Sequence, residues 1–307
     1  MIIAAGLSPA WQQILVFDGF SLGEVNRARE AVWCASGKVL NVGMSLAHLQ
    51  APCVTIAPLG GPPRADIERE FVALNAPARW IACAAPTRTC TTLLDALAGT
   101  STELVENAGP LSPEEITAFR AAYVDEAARA ELVVLSGSLP AGTPPTFYRD
   151  LLRETPCPAV LDVRGPELLA ALPCRPLLVK PNRVELARTL DRDLGDDEAL
   201  VSAMRELNSA GAQWALITQG PRAVWLTSCE AVYRLLPPTV ETIINPIGCG
   251  DALTAGMAWA LARGAEPLLA ARTGMAAAAE RLGQLLPGRL DPQRVLMRVD
   301  EVAMERV

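Results

Sequence analysis

The sequence predicts an α/β chain: a mostly parallel central sheet with helices on both faces. Three observations predict it. Short apolar runs recur, each closed by turn residues: "MIIAAGL" (1–7), "CVTIAPLG" (53–60), "LVVLSGS" (132–138), "AVLDV" (159–163), "LLVKPN" (177–182) and "WALITQG" (214–220). Runs with no alternating polar face suit strands covered on both sides. Segments with helical spacing separate them, and strand–helix alternation is the pattern of parallel sheets. Polar loops follow the runs: "SGS", "DVRG", "KPN" and "TQG". Ligands of open parallel sheets bind at the carboxyl ends of strands, so these loops should converge on one crevice.

Taken in order, "MIIAAGL" opens the sheet and "LNVGMSLAHLQ" (40–50) reads as the first long helix. Segments 11–33 and 91–105 break the alternation. They contain short patterned runs such as "QQILVFD" and "TTLLDA", which suit small antiparallel strands in a flap outside the main sheet. The helix of 112–130 has a clear start: Ser112, then Pro113, with Glu115 three residues beyond the serine. "TPPTFYRDLLRET" (143–155) and "DDEALVSAMRELNSAG" (196–211) are the next helices, the second stopped by Gly211. No repeat or low-complexity linker interrupts the chain, so 1–307 reads as one domain with an inserted flap.

Composition excludes several functions. Half the residues are hydrophobic and 20% are charged, so a large core is available. The formal net charge of -7, with no basic stripe, argues against nucleic acid as a partner. The eight cysteines include no C-x-x-C pair, which speaks against zinc and suits small buried side chains in a reducing compartment. The N-terminus lacks the basic start and apolar core of a secretory signal. Arginines interrupt the alanine-rich C-terminal third before it reaches the roughly 20 apolar residues of a membrane span. The expectation is a soluble cytoplasmic protein. His48 and the six tryptophans read as packing residues.

The stretch "INPIGCGDALTAG" (244–256) carries the chemistry. Gly248 and Gly250 let backbone N–H groups turn into one concavity at a helix start, where the dipole adds positive potential; such places bind phosphate. A carboxylate there, Asp251, is explained if it takes a proton from a hydroxyl while the amides hold a phosphoryl group. A helix-opening Asp favoured by the dipole explains the position equally well. The stretch is neither a Rossmann fingerprint nor a Walker loop, and the protein-kinase signatures are absent.

Around this turn the sequence resembles a phosphofructokinase-B type sugar kinase of the ribokinase-like superfamily, nearest to its 1-phosphofructokinase and tagatose-6-phosphate kinase members. "GEVNRA" (23–28), "SGKVLNVG" (36–43), "TRT" (87–89), "ELVENAGPLSPEE" (103–115), "LSGSLPAG" (135–142), "KPNRVEL" (180–186) and "NPIGCGD" (245–251) keep the family's order. The resemblance implies a three-layer ribokinase-like fold with a small β-strand lid, and transfer of the ATP γ-phosphate to a sugar-phosphate hydroxyl. Asp251 would be the base and the amides of Gly248, Cys249 and Gly250 the anion hole. Asn182 (nucleotide side) and Glu185 match N-x-x-E, which positions Mg²⁺ through water, with Asp162 as a second carboxylate near the metal. Thr218 and Gly220 match the nucleotide loop. Lys38 and Arg88 would hold the acceptor's phosphate, with Arg27 as a further candidate. Gln12, Gly37, Asn41 and Ser138 would lie near the sugar, although Asn41 also reads as a helix cap. Lids of two subunits would pair into a homodimer.

Four positions depart from the family pattern. Gln12 stands in place of a sugar-binding Asp, Val39 in place of a Gly where backbone would approach the sugar, Pro246 in place of a Thr, and Ala223 in place of a loop Gly. They keep two alternatives open: a kinase for an unphosphorylated sugar or nucleoside, and a degenerate fold that binds sugar phosphate or nucleotide as a sensor.

Overall fold

The computed structural model describes residues 1–307. The first half of the chain forms β1 (Ile2–Ala5), β2 (Ala10–Phe17), β3 (Glu30–Ser36), α1 (Lys38–His48), β4 (Cys53–Leu59), α2 (Arg64–Ala73), β5 (Ala78–Ala82), β6 (Arg88–Asp95), β7 (Thr100–Val105), α3 (Pro113–Ala127) and β8 (Leu132–Ser136). The second half adds α4 (Phe147–Leu152), β9 (Ala159–Asp162), α5 (Gly165–Ala171), β10 (Leu178–Val179), α6 (Arg183–Leu190), α7 (Asp197–Ala210), β11 (Trp214–Ile217), β12 (Val224–Thr227), β13 (Val232–Leu236), α8 (Cys249–Ala262), α9 (Pro267–Leu282), α10 (Pro292–Arg298) and β14 (Ala303–Arg306).

Ten strands make the main sheet, in the order β14-β13-β12-β11-β10-β9-β8-β1-β4-β5. From β11 to β5 every pairing is parallel; β1 is central, with Ile2 opposite both Cys53 and Leu132. The apolar runs read as doubly covered strands are just that: every residue of β1, β4, β8 and β9 is buried. One apolar layer packs side chains of α3, α4 and α7 on the sheet, and the other packs α1, α8 and α9 on the opposite face. This is the three-layer arrangement the sequence predicts. The edge strands β12, β13 and β14 run antiparallel and, with β5, lie outside the strands the sequence reading named. β5 and β13 are only partly buried and β14 is exposed, so none of the three is a continuous buried apolar run.

The helix ends follow the sequence signals. Ser112 and Glu115 form a reciprocal capping box on α3, and Gly211 closes α7 with φ 137°. The alanine-rich C-terminal third is the α8/α9 pair. A Cβ on Gly256 would lie 3.0 Å from Gly274 Cα, so small residues set how closely these helices approach.

A second sheet, in the order β3-β2-β6-β7, contains the two segments expected to form an antiparallel flap. Its outer pairs are antiparallel, but β2 and β6 at its centre run parallel, because they come from separate segments and not from one hairpin. Its inner face buries Ile14, Val16, Cys34 and Leu94 against Leu285 and Leu286. β7 is exposed along its whole length, and Trp33, Leu104 and Val105 are also exposed. Trp11 stacks on Trp33 with ring centroids 6.1 Å apart.

Candidate active site

Chain order reverses at β1, since β4 and β5 lie on one side of it and β8 onward on the other. The crevice beyond the carboxyl ends of β1, β8, β9 and β10 is therefore a switch-point site. Two glycines bring backbone together there. A Cβ on Gly6 would lie 2.1 Å from Ser136 O, and one on Gly37 (φ 87°) would lie 2.8 Å from Ser8 O. Gly37 is the N-cap of α1, which delivers Lys38 at its first turn and Asn41 one position short of a full turn later.

Gly248, with φ 84°, caps α8 and turns the chain so that Cys249, Gly250 and Asp251 form its first turn. The N–H groups of Gly248, Gly250 and Asp251 have no protein acceptor, while that of Cys249 makes a long contact, 3.4 Å, with Pro246 O. Asp251 is 7% exposed. Its Oδ2 accepts a hydrogen bond of 2.7 Å from Asn41 Nδ2, and its Oδ1 has no protein donor. Asn41 thus orients the carboxylate from inside α1, and the capping alternative falls to Gly37.

Behind Asp251 lies an ion-pair cluster. Asp162, at the end of β9, is bonded by Lys38 Nζ at 2.7 Å on Oδ1 and paired with Lys180 Nζ at 3.2 Å on Oδ2; Thr254 Oγ1 donates to Oδ2 as well. Lys38 Nζ is also 3.5 Å from Glu185 Oε1. Burial pushes the Asp251 carboxyl up and the charge of Asp162 adds to this; Lys38, the Asn41 hydrogen bond and Lys180 offset only part, leaving it at about 6. Burial opposes the charge of Asp162 too, but Lys180 and Lys38 outweigh it and hold that carboxyl below its usual range. Burial likewise works against the Lys38 ammonium, yet Asp162, Glu185 and Asp251 raise it. Two carboxylates in one crevice are thereby pushed apart, one made a firm anion and the other a base that can gain and lose a proton near neutrality.

Two expectations change here. Lys38 was expected to join Arg88 on an acceptor phosphate; its ammonium instead faces the carboxylates beside Asp251. Asp162 was expected near a metal, but its two oxygens are engaged by two ammonium groups. Glu185 alone of the two expected metal carboxylates keeps an oxygen, Oε1, without a hydrogen bond. Its Oε2 accepts from Asn182 N–H at 2.9 Å, and Asn182 Oδ1 accepts from Glu185 N–H at 2.8 Å. N-x-x-E is thus a capping box on α6, which fixes both side chains. No group of three or more His, Cys, Asp or Glu side chains is placed to cage a metal.

The nucleotide-loop candidates adjoin this cluster. Asn182 and Thr218 form an isolated parallel bridge just beyond β10 and β11, Thr218 O accepts from Arg183 N–H, and Gly220 adopts φ 64° with open space around it. Ala223 is buried and its carbonyl accepts from Gln219 Nε2.

The acceptor-side candidates are more dispersed. Arg88 braces three carbonyls, those of Pro9, Glu106 and Ser8, at 3.0–3.3 Å. Ser138 O accepts from Ser8 Oγ. Gln12 lies inside the lid sheet, 2.6 Å from Thr92 Oγ1. Arg27 lies exposed in the β2–β3 connection, without an ion pair. Val39 does not crowd a ligand either: it is 1% exposed and packs with Leu40, Met44 and Ala57 in the interior. Sequence reasoning did not nominate Lys180 as a site residue. The available signal was that a chain with only two lysines places one at a strand's carboxyl end.

Similarity to known proteins gives the chain its family. The profile of the pfkB family carbohydrate kinases matches residues 11–292. A 1-phosphofructokinase of Rhodobacter capsulatus is 31% identical over 299 residues, 96% of this chain and 94% of the relative. Two solved structures share the fold. A possible 1-phosphofructokinase from Thermotoga maritima superposes with TM-score 0.91 at 21% identity, covering 100% of each chain. The tetrameric inhibited form of phosphofructokinase-2 from Escherichia coli superposes with TM-score 0.87 at 23% identity, covering 97% of this chain and 98% of that one. A profile match from the lid to the last helix, around a buried acid set among free amides, makes this chain a member of the pfkB family of carbohydrate kinases.

Proposed function

We propose that the protein transfers the γ-phosphoryl group of ATP to a hydroxyl of a phosphorylated ketohexose of the fructose 1-phosphate or tagatose 6-phosphate type. The observation that carries the reading is Asp251: a carboxyl raised to about 6, with one oxygen held by Asn41 and one without a donor, in the same helical turn as the free amides. Asp251 takes the hydroxyl proton as the alcohol attacks. The amides of Gly248 and Gly250 hold the migrating phosphoryl oxygens. Lys38 and Lys180 supply positive charge beside its path, while Asp162 keeps both ammoniums in place. Phosphoryl transfer asks little covalent work of a protein, so positioning and fixed charge suffice. Arg88 draws the loop after β1 against the lid and would serve the acceptor's own phosphate.

The donor set fits a hydrated Mg²⁺, a hard cation that keeps most of its waters and needs only one or two carboxylates beside phosphate oxygens. Glu185, whose Oε1 accepts no hydrogen bond but faces Lys38 at 3.5 Å and Arg164 at 3.7 Å, would hold it through water; Mg²⁺ would neutralise charge on the phosphates. The eight free cysteines suit a reducing cytoplasm, and the exposed face of β7 with Trp33 suits pairing of lids between two subunits. No helix is long and apolar enough to cross a membrane.

ADP release measured across fructose 1-phosphate, tagatose 6-phosphate, fructose 6-phosphate, fructose, ribose and adenosine tests the reading. Turnover confined to phosphorylated ketohexoses is expected. Preference for a plain sugar or nucleoside, or binding without turnover on the whole panel, contradicts it.

A further inference from the structure

Arg281, near the C-terminus of α9, is 0% exposed, the largest fully buried side chain in the protein. Burying a guanidinium is costly unless its charge and its donors are matched. No carboxylate pairs with it. Its partners are three main-chain carbonyls: Nη2 donates to Ile247 O at 2.8 Å, and Nη1 to Gln284 O and, at 3.4 Å, to Asn245 O. Nε has no acceptor, and it lies 3.8 Å from the place a Cβ on Gly248 would occupy. Two of the three carbonyls belong to the turn that enters the anion hole and the third to the turn that leaves α9. The same two turns are joined by Asn245 Nδ2 to Leu285 O and by Ile244 N to Leu282 O.

The peptide plane gives this contact a direction. In a planar trans peptide the C=O and the following N–H point opposite ways. With Ile247 O held on Arg281, the N–H of Gly248 is turned away from the guanidinium. That N–H is one of the free amides at the start of α8. Burial lowers the proton affinity of the guanidinium below its usual range, and the neighbouring Cys249, Cys34 and Asp251 offset only part of that.

We propose that Arg281 is a positioning residue for phosphoryl transfer, an internal cation whose hold on the Ile247, Asn245 and Gln284 carbonyls aims the Gly248 amide at the migrating group. The proposal rests on the phosphoryl-transfer reading of the 248–251 turn. It does not require Arg281 to touch substrate.

The test uses the full chain with ATP, Mg²⁺ and whichever acceptor the wild-type panel identifies. Arg281→Ala is expected to lower kcat by about 100-fold, the scale of losing one preorganised donor, with KM for the acceptor little changed. Added methylguanidinium, small enough for the space vacated, should restore part of kcat in Arg281→Ala and none in wild type. Arg281→Lys should fall between the two, since an ammonium reaches fewer of the carbonyls. Thermal unfolding of each variant reports folding separately. A folded Arg281→Ala with wild-type kcat overturns the proposal, as does a loss that appears wholly in KM or is untouched by methylguanidinium. If Arg281→Ala does not fold, Arg281→Lys decides, and wild-type kcat there overturns it. Wild-type protein inactive on every acceptor would instead defeat the underlying reading of the site.

Discussion

The floor of the crevice and the lid above it are built on opposite terms. The floor is buried and mutually restrained: Asp162 holds two lysines, Asn41 holds Asp251, and Asn182 and Glu185 hold each other. The lid is a four-stranded sheet with one strand exposed from end to end; of its candidate ligands Arg88 braces backbone, Gln12 is bonded to Thr92 inside the sheet, and Arg27 is exposed without an ion pair. The difference teaches where each kind of information resides. On the proposed reading, phosphoryl transfer rests on buried, mutually bonded side chains, and acceptor choice on the more exposed lid.

Several substitutions would break or sharpen this contrast. The largest effect belongs to Asp251→Asn, which should lower kcat by about 10³–10⁴-fold while leaving nucleotide affinity nearly unchanged, measured by single-turnover kinetics and by calorimetric titration with ATP. Lys180→Met comes next. It leaves Asp162 with one cation in place of two, and should lower kcat by about 10²-fold with some loss of thermal stability, since half of a buried pairing is removed. A smaller effect is expected for Arg88→Ala: weaker binding of phosphorylated acceptors, seen as a rise in their KM alone, because the floor is untouched. The smallest is Val39→Gly. It returns the glycine expected of the family but empties a core position within α1, so it should cost about 2–4 kcal/mol in stability without improving KM for any acceptor, checked by denaturant unfolding.

The same contrast governs what the sequence made legible. The parallel sheet was readable because β1, β4, β8 and β9 are apolar throughout, and covered strands leave that mark. The two edges were not: β5 on the parallel side and β13 and β14 on the antiparallel side are partly or wholly exposed, so none leaves a continuous apolar run. On the floor, Gly248, Gly250 and Asp251 were readable because a left-handed turn, free amides and an acid are each tied to a residue type. Lys38 and Asp162 were found, but their mutual pairing was not, since it joins positions 124 residues apart. Val39 misled for a related reason: the family position shows that glycine is usual there, but not which way a larger side chain turns. Arg281 left no signal, because an arginine in an alanine-rich helix reads as a surface residue until its burial is known.

The pH dependence of kcat/KM tests the central claim most directly. The ordinary carboxyl value for Asp251 is 3.8, and in the fold it stands at about 6. The base is active when deprotonated, so activity should hold above that value and fall tenfold per pH unit below it. Stability has the opposite sign: the folded protein binds this proton more tightly than the unfolded chain, so the contribution is lost as pH rises through about 6, and Asp251→Asn removes that loss. An acid limb of unit slope near pH 6 in the wild type, with thermal stability of the wild type falling relative to Asp251→Asn over the same range, is the predicted result. A profile that stays flat down to the ordinary carboxyl range would contradict the account.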